Sequence, residues 1–267
     1  MNDKLIPIEF ERGNEATADL ISNACREALH FIHESWGFSA PKNCRISVMT
    51  SWLKFIFKAA PWSWRIWLAV TLPVWSFRAR RTWPISAAWT LRYGQRVVIG
   101  VKPPRLLEQS DKRFGARMFV DEPDMPTNIR RVVCHELTHA CSAQLRLPAW
   151  LNEGIATVTV DRFASRRTIL AETLNLIRDH QPKEPPPTHR ALARMRGEDF
   201  VYHAVRGYWV VGLIEDKCPG FLKRKFSRGW QARSIELEIA FELGMKPACF
   251  WREIDAAVVD HFTATTA

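Results

Sequence analysis

His135 and His139 stand four residues apart in Val132-Val133-Cys134-His135-Glu136-Leu137-Thr138-His139-Ala140, with a glutamate directly after the first histidine. Ile129, Val132, Val133, Leu137 and Ala140 recur at three- and four-residue steps, and Pro126 falls in the first turn, so the stretch from Asp124 is predicted helical. Four residues advance a helix by slightly more than one turn. Both imidazoles then leave the same face and can grip one ion. Glu136 lies about 100° around the axis, beside the ion, where its carboxylate can take a proton from activated water. Fourteen positions after His139, Glu153 lies in Pro148-Ala149-Trp150-Leu151-Asn152-Glu153-Gly154-Ile155-Ala156. A turn at Pro148 and a second helix crossing behind the first would carry this carboxylate to the same ion. Three protein ligands would leave a fourth position for water, as catalytic zinc requires. The plainer reading of a lone Glu is a solvated surface carboxylate.

The elements that must hold these groups are legible in outline. Asn14 to about Trp36 reads as an amphipathic helix, with Leu20, Ile21, Ala24, Ala28, Phe31 and Ile32 at helical spacing. Strand signals follow in CRISVMT (44–50), RVVIGV (96–101) and ARMFVD (116–121). Beyond the second active-site element, a proline-rich linker (181–189) precedes the helical run DFVYHAVRGYWVVGLIEDK. Two further helices, broken at Gly244 and restarted near Pro247, finish the chain. The expected fold class is α+β. A lobe over 1–125 would carry the small sheet and a Trp-rich basic insertion at about 52–92, and a helical lobe over 126–267 would complete one catalytic unit.

At 267 residues the chain can bury a sizeable core. The first twenty residues contain no apolar h-region, so a secretory signal is not expected. Six cysteines, at 25, 44, 134, 141, 218 and 249, form no C-x-x-C pair. A reducing, cytoplasmic setting follows, with Cys134 and Cys141 expected as small buried hydrophobes beside the site.

VVCHELTHA followed by LPAWLNEGIA resembles the gluzincins, the thermolysin-like zinc peptidases, and especially their compact "peptidase MA-like" branch. The resemblance spans about residues 125–262 and includes the tail SIELEIAFELGMKPACFWREIDAAV, similar to the family's short helical pair after the site. It implies a zincin-like fold, one Zn2+ per chain, His135, His139 and Glu153 as ligands, and Glu136 as general base. In related aminopeptidases a tyrosine opening the next helix hydrogen-bonds the oxyanion. Tyr202 in Val201-Tyr202-His203-Ala204 matches that position, with Tyr208 and His203 as alternatives. Thermolysin-like enzymes commonly carry an acidic residue one turn beyond the glutamate ligand. Thr157 stands there instead, and Thr157 or Asp161 would accept the second ring N–H of a ligand histidine. The Gly-x-Met-Glu-Asn motif that holds a free amine in those aminopeptidases is absent, which favours an endopeptidase or a very restricted substrate.

Between Glu34 and Glu108 there is no acidic residue, while twelve basic residues account for more than the whole net charge of +10. Seven tryptophans (52, 62, 64, 67, 75, 83 and 89) share this stretch, and its longest uncharged run, IWLAVTLPVWSF, is too short to span a bilayer. Such a segment suits an anionic membrane surface at the inner face of the membrane, or equally a hydrophobic roof over the active site. Single-stranded nucleic acid follows behind. The expected function is a zinc-dependent peptidase acting on peptide or protein. The alternative is a membrane- or nucleic-acid-binding protein whose zinc site is structural or vestigial.

Overall fold

Short strand β1 (Ile8–Glu9) leads into α1 (Glu15–Trp36), whose expected stripe buries Ile21, Ala24, Ala28 and Ile32. β2 (Asn43–Val48) follows, then three helices, α2 (Trp52–Ala59), α3 (Trp62–Val70) and α4 (Leu72–Thr82). β3 (Ala88–Tyr93) and β4 (Arg96–Val101) form a hairpin closed by Gly94-Gln95. Gly94 adopts φ 62°, a conformation that favours glycine at the first position of a two-residue turn. α5 (Pro104–Arg113) and α6 (Met125–Ser142) come next. The remaining elements are α7 (Ala149–Ala164), α8 (Thr173–Asp179), α9 (His189–Leu192), α10 (Gly197–Lys217), α11 (Phe221–Ser227), α12 (Ile235–Glu242) and α13 (Phe250–Thr266). This computed structural model describes residues 6–113, 115–122, 124–180, 185–192, 194–195, 197–228 and 234–266.

The fold is α+β. Two compact units form, Met1–Phe31 with Ser39–Ala140, and Ile32–Phe38 with Cys141–Ala267. In the first, the described strands run in the order β1-β2-β4-β3, parallel except for the β3–β4 pair. β4 is inner and buried from Val97 to Val101, which is why its sequence is an almost unbroken apolar run. Val98 and Met49 join Phe55, Ile56, Ala59, Ala60 and Leu68 in a core that seats α2 and α3. Lys102, at the end of β4, is buried. Its ammonium donates to Ser110 Oγ (2.6 Å) and to the Trp83 carbonyl, and burial pulls its pKa down to about 8.

The second unit is helical and is knit by indole and guanidinium donors. Trp36 Nε1 donates to Thr159 (2.7 Å) and Trp209 Nε1 to Thr173 (3.0 Å), while the indoles of Trp150 and Trp251 share the carboxylate of Glu236. Arg206 and Asp255, both 1% exposed, pair at 2.8 Å between α10 and α13. A Cβ on Gly154 would lie 2.3 Å from the Gly207 carbonyl oxygen, and one on Gly207 would lie 2.3 Å from that of Trp150. Backbones of α7 and α10 therefore touch at a glycine-to-glycine crossing that no side chain fits.

Two expectations need correction. ARMFVD is not a strand. A 3-10 turn at Gly115–Arg117 uses its backbone donors locally, with Met118 and Phe119 N–H both donating to the Gly115 carbonyl. The stretch read as an insertion over 52–92 ends in β3, so its last residues belong to the sheet. Of the proline-rich linker, 181–184 lies outside the described residues and 185–188 has no regular structure.

Candidate metal centre

α6 starts where Asp124 accepts the backbone N–H of Thr127 (2.7 Å), a bond that also holds the Asp124 carboxyl below its usual range. Ile129, Val132, Val133, Leu137 and Ala140 are all buried, so the helix is oriented by its apolar stripe and its other face carries His135, Glu136 and His139, each half-buried. The two imidazoles stand edge-to-face at 4.6 Å between centroids, with their Nε2 atoms 3.0 Å apart. Two tetrahedral zinc–nitrogen bonds would separate those nitrogens by about 3.3 Å. A slight rotation of either ring supplies the difference.

α6 gives way at Ser142 to a 3-10 turn, Ala143–Leu145, and the chain reverses at Arg146, whose φ of 50° is left-handed. Pro148 then opens α7, its carbonyl accepting the Asn152 N–H (2.9 Å), and Ser142 Oγ donates to Asn152 Oδ1 (3.2 Å). That bond ties the first turn of α7 to the last turn of α6, one residue before Glu153. The ligand atoms of His135, His139 and Glu153 all lie within 4.8 Å of one another. Two imidazole nitrogens and a carboxylate at this spacing match the donor set and charge that catalytic zinc accepts.

Glu136 is held from a different element. The hydroxyl of Thr90 in β3 donates to its Oε2 at 2.5 Å. Thr90 was not among the residues picked out from the sequence. The signal that could have found it is the run Ala88–Tyr93, two turn residues and RVVIGV, a hairpin pattern hidden by the surrounding tryptophans.

The outer residues fall into separate networks. Thr157 donates to the Glu153 carbonyl (2.9 Å), and Asp161 accepts from Tyr208 (2.6 Å), from the Thr168 hydroxyl (2.6 Å) and from its N–H (2.7 Å). Burial nonetheless raises the pKa of Asp161. Tyr202 is buried, stacks on His180 at 3.6 Å and donates to Asp255 (3.3 Å); burial pushes its phenol far upward. Burial does the same to Tyr208. His203 is half-buried, its Nδ1 enclosed without a hydrogen-bond partner among the described residues. Burial, then the nearby Arg206 charge, draws its pKa down to about 4, so it is neutral at physiological pH. Cys134 and Cys141 are buried, as expected.

No known protein family, curated protein or solved structure matches this chain.

Proposed function

We propose that this chain is a zinc-dependent endopeptidase of the gluzincin type, with a zincin-like fold and one Zn2+ bound by His135, His139 and Glu153. One observation carries the reading: two imidazole nitrogens from successive helical turns and a carboxylate from the following helix converge within 4.8 Å. The ion, when bound, would polarise a peptide carbonyl and make water acidic enough to lose a proton near neutral pH.

The chain's own residues do the rest. Glu136 follows His135 directly, on the ligand helix but off the ligand pair, and acts as the base that accepts a proton from water and returns it to the leaving amine. Thr90 occupies its Oε2, which orients the carboxylate and leaves Oε1 for the water. Among the described residues β3 pairs with β4 alone, so the strand that carries Thr90 also presents a free edge. An extended peptide added there would run past Glu136, and this favours a polypeptide substrate. Tyr202 is assigned the oxyanion on the resemblance alone. The role requires its hydroxyl to leave Asp255, since a phenol has a single proton to donate. No described helix is long and apolar enough to cross a membrane. A cytoplasmic site of action, peripheral to the inner face of the membrane, is part of the same proposal.

The test separates ion from chemistry. Purified protein should hold about one zinc per chain, and His139→Ala or Glu153→Ala should lose most of it. Glu136→Gln should keep the zinc while hydrolysis of a peptide library falls by about 10²–10⁴. Full zinc retention in both ligand variants refutes the ligand set. Unchanged turnover in Glu136→Gln removes the base, and zinc binding without hydrolysis by the wild type favours a structural or vestigial site.

A further inference from the structure

α3 is unusual for a helix of a folded domain: of its nine residues only Leu68 is buried. Trp62, Ile66, Val70, Val74 and Phe77 follow one another at steps of four, four, four and three residues. Trp62, Ile66 and Val70 lie on α3 and Val74 and Phe77 on α4, with the chain turning at Thr71 (φ −91°, ψ 7°), so the stripe is carried by two successive helices. Their exposures are 74, 62, 77, 71 and 60%. The stripe is not a loose end, because Leu68 beneath it belongs to the core built on Met49 and Val98. Trp64 packs edge-on against both Trp67 and Tyr93, and Trp67 against Trp75. Several large apolar side chains exposed together on packed helices mark a binding site.

The charges around it are of one sign. Arg65, Arg80 and Arg81 are exposed, and the Arg81 guanidinium sits over the Phe77 ring at 3.6 Å, a cation directly beside the apolar tip. Lys54 and Lys58, farther back on α2, are answered by Glu11 and Glu9. The segment itself supplies no carboxylate. We infer that this stripe docks on an anionic lipid bilayer, with the aliphatic and indole groups in the interface and the arginines at headgroup level. Charge complementarity selects a negative partner, and the kind of apolar residue selects lipid. Three of the five most exposed groups, Ile66, Val70 and Val74, are branched aliphatics that enter hydrocarbon but offer no flat face for a base. Trp64, Trp67 and Trp75, which could stack bases, meet edge to face, so part of each ring is already engaged by its neighbour.

The experiment is co-sedimentation of the full-length protein with vesicles of phosphatidylcholine alone or mixed with phosphatidylglycerol, at low and high salt. Tryptophan quenching by brominated lipid is read on the same samples. Binding is expected only with the anionic mixture and should weaken as salt rises. Arg65→Gln/Arg80→Gln/Arg81→Gln should cost about fivefold in affinity per cation, roughly a hundredfold in total. Ile66→Ser/Val70→Ser/Val74→Ser should abolish quenching with every cation in place. Equal recovery on both lipids, unquenched wild-type tryptophan, or undiminished binding by the serine variant overturns the inference. So does tighter binding to single-stranded DNA than to vesicles, or a solution dimer that the serine variant dissolves. The quenching measurement needs no variant, so misfolding of either triple mutant leaves a decisive result.

Discussion

Replacing Gly154 by alanine tests the crossing that seats α7, the helix that carries Glu153. The added Cβ would lie 2.3 Å from the Gly207 carbonyl oxygen and 2.6 Å from Val211 Cγ2. Non-bonded carbon needs roughly 3.3 Å or more from such neighbours, so the two helices must part by about 1 Å. Parting that far forfeits about a quarter to a half of each dispersion contact across the crossing. Overpacking commonly costs about 1–3 kcal/mol, and here the upper end applies because the obstacle is backbone and cannot rotate away. Alanine's better helix propensity returns about 1 kcal/mol. The net loss is about 2 kcal/mol, a fall in Tm of roughly 4–8 °C for a chain of this size. Gly212→Ala on α10 is the internal control. Its Cβ would meet only the Phe262 ring, at 3.3 Å, and a ring can yield, so propensity should dominate. Thermal unfolding followed by far-UV circular dichroism in chelator compares the two without metal linkage. A Gly154→Ala protein as stable as the wild type, or a Gly212→Ala protein that falls as far, refutes the reasoning.

Two further outcomes follow from buried groups. Asp255→Ala should cost about 3–5 kcal/mol in urea denaturation, because it leaves the Arg206 guanidinium buried without its carboxylate. Arg206→Met/Asp255→Leu should recover much of that loss, and a single variant of wild-type stability would show that the pair is not buried in solution. At pH 8 iodoacetamide should modify native Cys218 and Cys249, which are half-buried, and spare the other four. Burial pushes the thiols of Cys25 and Cys44 up to about 12, leaving about one molecule in 10⁴ as thiolate at that pH. Labelling of Cys25 or Cys44 at the rate of Cys249 contradicts the burial of these two thiols.

Local spacing alone determined a good part of this protein. The apolar steps of α6 dictate which face turns inward, and two histidines four residues apart must then share the other face whatever surrounds them. The unbroken run of β4, the stripe of α1 and the stop at Gly244, which takes φ 71°, are local in the same sense. The acid-free composition of residues 35–107 is likewise complete in the sequence.

Tertiary structure decided what depends on partners far along the chain. Gly154 is visible in its motif, but the reason it must be glycine is the backbone of Gly207, fifty-three positions later. Thr90 looks like one residue of a tryptophan-rich stretch until the hairpin with β4 brings its hydroxyl to Glu136. ARMFVD is composed like a strand, yet its start is a 3-10 turn that returns the Met118 and Phe119 N–H groups to the Gly115 carbonyl, and the Arg131 guanidinium sits over the Phe119 ring. Tyr202 and Tyr208 share one helix, and spacing alone does not say what either hydroxyl meets. Their hydroxyls are assigned by Asp255 and Asp161, two carboxylates that burial makes dependent on whichever donors the packed helices bring to them. Periodicity reports which way a side chain faces, because that is a property of one helix or strand. What a side chain meets is a property of two, and only packing brings the second one there.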